Sequence, residues 1–279
     1  MPRKAEVLSP GTRITDYISL GVISNLFPKE KIQQVLEKYA KSSLRQRDLP
    51  AHVVVYYVIA LGLFMQVSYR EVLRCLLEGL EWLQLPGSKL KITGKSGISQ
   101  ARTRLGWEPV KALHDMVVQP IATQDTLGAW YRQWRLVSID GSTLDIADNR
   151  ENEAAFGRQE THSGKSGFPQ IRFVSLVENG THVLFGTQMG AYHTGEITLA
   201  KEVLLQLKPG MLCLADRGFF SYSLRLQALS TGANLLWRVR KNLILPCLER
   251  FEDGAYLSRI YPSPEDRKAD TRGIDVRVI

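Results

Sequence analysis

Two stretches decide how this chain is read: Val137-Ser138-Ile139-Asp140-Gly141-Ser142, and Leu212-Cys213-Leu214-Ala215-Asp216-Arg217-Gly218. In each, an alternating or continuous apolar run ends at its first charged residue, an aspartate followed within two positions by glycine. The runs have strand length, and the Asp-Gly and Asp-Arg-Gly endings suit the turns that close strands, where Asp bonds its own backbone. If the two strands lie side by side, the same endings bring both carboxylates to one edge of a sheet, the usual place for a site in an open α/β fold. Paired hard oxygen ligands suit Mg²⁺ or Mn²⁺, and two such ions about 4 Å apart stabilise the attacking and leaving oxygens of a phosphodiester displacement. Both readings, turn residue and metal ligand, follow from the residues alone.

Around these blocks the periodicity is that of a mixed α/β domain. Arg135 to Asp140, Arg172 to Val177 and Val183 to Gln188 read as strands, the last two joined at the hairpin signal Asn179-Gly180. The first would pair with its successor to make an antiparallel meander. Glu196 to Leu207 reads as an amphipathic helix, Met211 to Ala215 as a strand, Ser221 to Ser230 as a helix and Asn234 to Val239 as a strand. The polar, glycine-containing segment Ala147 to Gly167 reads as a flexible loop.

Upstream of Trp130 the pattern is helical. Ile18, Val22, Ile23 and Leu26 share one face, as do Ile32, Val35, Leu36 and Tyr39. Asp48 and Pro50 offer a cap and a first-turn proline to a helix from Ala51 to Met65 that is apolar on most faces and so central. Ser68 and Glu71 form a capping-box pattern for a helix reaching Leu80. After a Pro86-Gly87 break comes a basic stretch, Lys89 to Lys95, and Ser96 could cap a helix turning Ile98, Ala101 and Leu105 inward. Its other face carries Ser99, Gln100, Arg102 and Arg104, the side-chain chemistry of a major-groove recognition helix, and equally that of a solvated face. A helix from Pro109 to Val118 follows.

The 279 residues exceed the usual single-domain size. The net charge is +8 and the sequence pI about 9.4, with 17 Lys+Arg against 11 Asp+Glu in residues 1–125. A basic excess concentrated in one half suits a polyanionic partner, because neutralised phosphates release counterions. Cys75, Cys213 and Cys247 are odd in number and widely spaced with no C-x-x-C pair, which argues against a disulfide framework and a zinc site. The five histidines show no metal-ligand spacing. The start lacks a signal-peptide core, and the longest apolar run, Val53 to Met65, is too short to span a bilayer. These features predict a cytoplasmic protein, nucleoid-associated if its partner is DNA.

The segments Ser138-Ile139-Asp140-Gly141-Ser142-Thr143 and Leu214-Ala215-Asp216-Arg217-Gly218-Phe219-Phe220-Ser221-Tyr222 resemble the first and second acidic blocks of the insertion-sequence-4 family of DDE transposases. Ser96 to Gly106 resembles the end of that family's N-terminal domain, and Tyr192, Gly195-Glu196 and Leu199-Ala200 fit its spacing. The resemblance implies a helical DNA-binding domain over residues 10–125 and, over 126–279, a ribonuclease H-like domain incomplete at its C-terminus. It implies Asp140 and Asp216 as catalytic metal ligands for Mg²⁺ or Mn²⁺, and double-stranded DNA at terminal inverted repeats as substrate. A homodimer on that DNA is expected. Lys95, Ser99, Gln100, Arg102 and Arg104 in the first domain, and Lys165, Arg172 and Arg217 in the second, are the expected DNA contacts.

The family's third carboxylate lies in the pattern Tyr, two residues, Arg, three residues, Glu, six residues, Lys. Tyr256 and Arg259 match its start, but Ser263 and Asp270 occupy the Glu and Lys positions and Pro262 would break the helix. The match is rejected, and Glu249, Glu252 and Glu265 are candidates only in principle. The chain is therefore expected to be the front portion of a transposase, with little or no transposition alone. Its final segment Ile274 to Ile279 is expected to be a strand without neighbours. The alternative function is a non-catalytic DNA-binding remnant that occupies element ends or inhibits full-length enzyme.

Overall fold

The computed structural model describes residues 22–43, 49–64, 67–82, 95–161 and 164–279. Ile18, Asp48, Met65, Pro86-Gly87 and the basic residues 89–94, which entered the sequence reading, lie outside them. The chain divides into two compact units, Met1–Val117 and Val118–Ile279.

The described part of the first unit is helical: α1 (Lys29–Lys38), α2 (Ala51–Leu63), α3 (Tyr69–Trp82), α4 (Lys95–Leu105) and α5 (Glu108–Val117). Helix α2 is the hub that its near-uniform apolarity requires. Val53, Val54, Val55, Tyr56, Tyr57 and Ala60 are all buried, packed among Ile32 and Leu36 of α1, Leu73 and Leu76 of α3, and Ile98 and Ala101 of α4. Its two buried tyrosines send their hydroxyls to backbone carbonyls, Tyr56 to Phe27 at 2.7 Å and Tyr57 to Tyr69 at 3.0 Å, so neither polar tip is left dry.

The start of α2 departs from expectation. Pro50 is the residue before the helix rather than within its first turn, and the free N–H of Ala51 is capped by Ser43 Oγ at 2.9 Å. A cap eight residues upstream leaves no local sequence signature. At α3, Ser68 Oγ does accept from the Glu71 N–H, but the Glu71 carboxylate pairs with Arg74. Helix α4 begins at Lys95, one residue before the expected cap.

The second unit is built on a seven-stranded mixed sheet: β1 (Trp130–Tyr131), β2 (Trp134–Asp145), β3 (Arg158–Thr161), β4 (Gly164–Glu178), β5 (Leu184–Ala191), β6 (Met211–Ala215) and β7 (Asn234–Trp237). The main path runs β3-β4-β2-β6-β7, with β1 added to β2 and β5 to β4. β2, β4 and β5 form the expected antiparallel meander, while β6 and β7 join in parallel. The parallel connections are made by helices α7 (Glu196–Leu204) and α8 (Tyr222–Ser230), which cover one face of the sheet. There Val137, Ile139, Cys213, Ala215 and Trp237 meet Ala200, Val203, Leu204, Leu224 and Ala228 in one buried cluster. Each fully buried leucine contributes about 1.5–3 kcal/mol relative to exposure.

The expected flexible loop over Ala147 to Gly167 is corrected by the structure. It contains α6 (Arg150–Phe156), capped by the Asn149 side chain on the Asn152 N–H at 2.8 Å, and then β3, which pairs back on an early-starting β4. Polar composition concealed these elements because they lie at the rim, where little apolar surface is needed. The expectation of an unpaired terminal strand is also corrected. β10 (Ile274–Val278) pairs antiparallel with β9 (Tyr256–Ile260), which pairs with β8 (Glu249–Arg250), and α9 (Pro264–Ala269) lies between β9 and β10. Long-range pairing supplies the partners that adjacent sequence lacks. Tyr256 and Arg259 thus lie on a strand, consistent with rejecting the helical Tyr-x-x-Arg match.

A buried charge fastens the start of this unit to its sheet. Glu178, at the end of β4, is fully buried; its Oε2 accepts from the Ile121 and Ala122 N–H groups, both at 2.9 Å, and from Thr181 Oγ1 at 2.6 Å. Its Oε1 pairs with Arg135, whose guanidinium lies 4.7 Å from the centre of the Trp130 ring. Burial alone would raise the Glu178 pKa, but the hydrogen bonds from Thr181, Ile121, Ala122 and Arg135 together hold it below the ordinary carboxylate value.

Candidate functional site

Strand β2 does not end at Asp140, as its sequence suggested, but continues to Asp145 along β4. What ends there is the pairing with β6. The parallel register runs from Arg135 opposite Met211 to Ile139 opposite Ala215, so one further step sets Asp140 beside Asp216. Neighbouring strands are about 4.8 Å apart, and residues side by side on them point to the same face. Ile139 and Ala215 face the helices, so both aspartates face away from them, and both are exposed.

Local backbone fixes one oxygen of each carboxylate. Asp140 Oδ1 accepts from the Gly141 N–H at 2.8 Å, and Asp216 Oδ1 accepts from the Gly218 N–H at 2.7 Å. Asp216 thus shows the turn chemistry expected of Asp-Arg-Gly, whereas Asp140-Gly141 lies inside β2 without a positive φ and closes no turn; each aspartate uses one oxygen on its local backbone. A β-carbon at Gly141 would lie 3.1 Å from the carboxyl carbon of Glu196, at the start of α7, so a larger residue there would require the Glu196 side chain to shift.

Two carboxylates with free hard oxygens at adjacent positions on an open face fit an oxygen-preferring ion. Among the described residues no third His, Cys, Asp or Glu joins them in a metal-sized cluster. Glu249 and Glu252 are exposed near the small sheet, and Glu265 is in α9.

The other predicted residues fall into two groups. On α4, Ile98, Ala101 and Leu105 are buried as expected, leaving Ser99, Gln100, Arg102 and Arg104 exposed. The Arg102 guanidinium lies 5.7 Å from the centre of the Tyr69 ring, and Lys41 Nζ donates to the Arg104 carbonyl at 3.0 Å, adding a cation beside Arg104 that sequence reading did not find. The side chains of Lys95 and Lys165 lie outside the described set. In the second unit Arg217 is exposed next to Asp216, whereas Arg172 is half-buried, stacked 4.9 Å from the Tyr192 ring centre and donating to the Thr194 carbonyl at 3.4 Å. Arg172 is committed to its own sheet surface.

A mixed sheet with two aspartates at the ends of its parallel centre and helices on one face is the arrangement of a ribonuclease H-like domain. Residues 133–274 match the family model described as the transposase DDE domain, residues 17–115 match the N-terminal model of insertion element 4 transposases, and the chain belongs to this transposase family. A protein of Escherichia coli (strain K12) described as transposase InsG for insertion sequence element IS4 is 28% identical over 263 residues, 93% of this chain and 56% of its own length. The putative transposase InsZ of the same organism is 26% identical over 220 residues, 78% of this chain and 71% of its own. A cryo-EM structure of a piggyBac transposase synaptic complex with hairpin DNA aligns over 95% of this chain and 62% of that chain, with 14% identity and a TM-score of 0.37. The chain spans little more than half the length of the InsG relative. No helix among the described residues is long and apolar enough to cross a membrane.

Proposed function

We propose that this chain serves DNA transposition of an insertion sequence, binding the element's terminal inverted repeats as a homodimer and supplying two of the carboxylates that hold catalytic metal. The observation that supports the reading is the parallel register of β2 and β6, which ends with Ile139 opposite Ala215, the residues just before Asp140 and Asp216. Family membership supports it. Mg²⁺, or Mn²⁺ in its place, would be held by the free oxygens of the two aspartates. Bound there, the ion would lower the pKa of water and would stabilise charge on the phosphodiester oxygens.

The chain's own residues do the positioning. The Gly141 and Gly218 N–H groups orient the carboxylates, and the exposed α4 face with Ser99, Gln100, Arg102 and Arg104 reads or grips DNA, joined by Lys95. Lys165, Arg172 and Arg217 are the proposed contacts near the aspartates, Arg172 requiring release from Tyr192 to serve. Such a protein works in the cytoplasm at the nucleoid. The second reading, a DNA-binding remnant without catalysis, is favoured by the lack of a third clustered carboxylate among the described residues.

Metal-directed cleavage tests the centre. Fe²⁺ with ascorbate and peroxide should cut the backbone near Gly141 and Arg217, and Asp140→Asn or Asp216→Asn should abolish both cuts. Gel shifts on terminal inverted repeats test the partner. Binding that survives both substitutions with no metal-directed cuts in the unaltered chain would favour the remnant, and absence of any binding would sink both readings.

A further inference from the structure

The row that holds the two aspartates extends by one more strand. β7 pairs with β6 in parallel, ending with Trp237 opposite Ala215, and the next N–H, that of Arg238, donates to the Ala215 carbonyl at 2.9 Å. One step of this register sets Arg238 beside Asp216, as the preceding register sets Asp140 on its other side. Trp237 is buried against the helices, so Arg238 points to the same open face as the aspartates, where it is exposed.

Among the described residues Arg238 forms no ion pair and no side-chain hydrogen bond. It lies at the rim of a cleft of about 500 Å³ whose lining is mostly apolar, Leu214, Leu236, Ile260 and Val276 among it; Arg225 and Arg277 are its other charged residues, and none of the described lining residues is acidic. Arg277 is occupied by Asp253 and the Phe251 ring. Arg225 is half-buried, with its Nε enclosed and without an acceptor. An exposed, permanently charged guanidinium without an ion pair among the described residues, one strand from a carboxylate proposed to hold metal, is suited to a bidentate grip on phosphate.

We propose that Arg238 is a substrate-binding residue of this site, receiving a backbone phosphate of the DNA strand whose neighbouring phosphodiester lies over Asp140 and Asp216. The inference rests on the transposition reading and adds a residue that its sequence blocks do not contain. It also assigns a direction: the bound strand crosses the sheet along the row from β2 through β6 to β7.

The test uses the full chain and a fluorescein-labelled duplex of mixed sequence in EDTA, with affinity measured across a salt series. Arg238→Ala should weaken binding on the order of tenfold and flatten the dependence of log affinity on log salt by about 0.9, one phosphate contact. Arg238→Lys, which keeps the charge, should retain most of the slope, and the melting temperature of both variants should match that of the unaltered chain. An alanine variant with unaltered affinity and slope would overturn the proposal. So would an equal loss in the lysine variant accompanied by a lowered melting temperature, which marks a structural role. Failure of the unaltered chain to bind at any salt would instead refute the DNA reading on which the proposal stands.

Discussion

Replacing Glu178 by Gln keeps the shape of the side chain and removes its charge. In the native structure Oε2 accepts from three donors, the Ile121 and Ala122 N–H groups and the Thr181 hydroxyl, while Oε1 faces the Arg135 guanidinium. A carboxamide has one acceptor and one donor end. In one orientation its NH2 confronts Arg135, in the other the two backbone N–H groups, so some buried donor loses its acceptor either way. Removing one partner of a buried pair costs about 3–5 kcal/mol. The Arg135 side chain keeps 20% exposure, which places the expected loss near the lower end, about 3 kcal/mol. Urea unfolding followed by tryptophan fluorescence measures it, since Trp130 packs on Arg135 and Trp134 and Trp237 lie in the same unit. Hydrogen exchange of the Ile121 and Ala122 amides localises the effect. Because the folded pKa of Glu178 is depressed, its contribution is fully present above the unfolded value of about 4.3 and is lost as pH falls through the lower folded value. The stability gap between the unaltered chain and the Glu178→Gln variant should therefore close in acid. A loss below about 1 kcal/mol at neutral pH, the range of exposed pairs, would refute the claim that this charge fastens residues 121–122 to the sheet.

Gly180→Ala should destabilise the second unit by at least about 2 kcal/mol, since φ is +88° and the new β-carbon would lie 2.6 Å from the Leu127 carbonyl oxygen; thermal unfolding measures this, and a neutral result would refute the turn geometry. Burial raises the Cys213 thiol to about 12, so at neutral pH an aromatic disulfide reagent should label exposed Cys247 and leave Cys213 unmodified until urea is added. Ser43→Ala should cost the first unit about 0.5–2 kcal/mol through loss of the cap on Ala51, read as a lowered urea midpoint, and an unchanged midpoint would show that the hydrogen bond contributes nothing.

Reading the residues in order located the strands that carry Asp140 and Asp216, the helices Glu196–Leu204 and Tyr222–Ser230 and the apolar hub Ala51–Leu63, because each rests on apolar periodicity or continuity within a single element. The aspartates stood out for the same reason, as the first charges after apolar runs. Less was legible at the rim. The helix and strand within Arg150–Thr161 bury little, so no periodicity marked them, and the partner of Ile274–Val278 lies beyond a short helix. Arg238 was invisible as a site residue because nothing in its neighbourhood along the chain distinguishes it from other exposed arginines; only the parallel register of β6 and β7 sets it beside Asp216. Glu178 likewise looks like an ordinary strand-end charge until donors 43 and 57 residues away converge on it. Sequence by itself determined which segments must be buried and therefore which become helix or strand, since that follows from side-chain chemistry at spacings of two to four residues. Tertiary structure decided which strands are neighbours and in what register, since hydrogen bonds between distant segments choose among pairings that local sequence leaves equivalent, and that choice is what turns two aspartates and an arginine into one row.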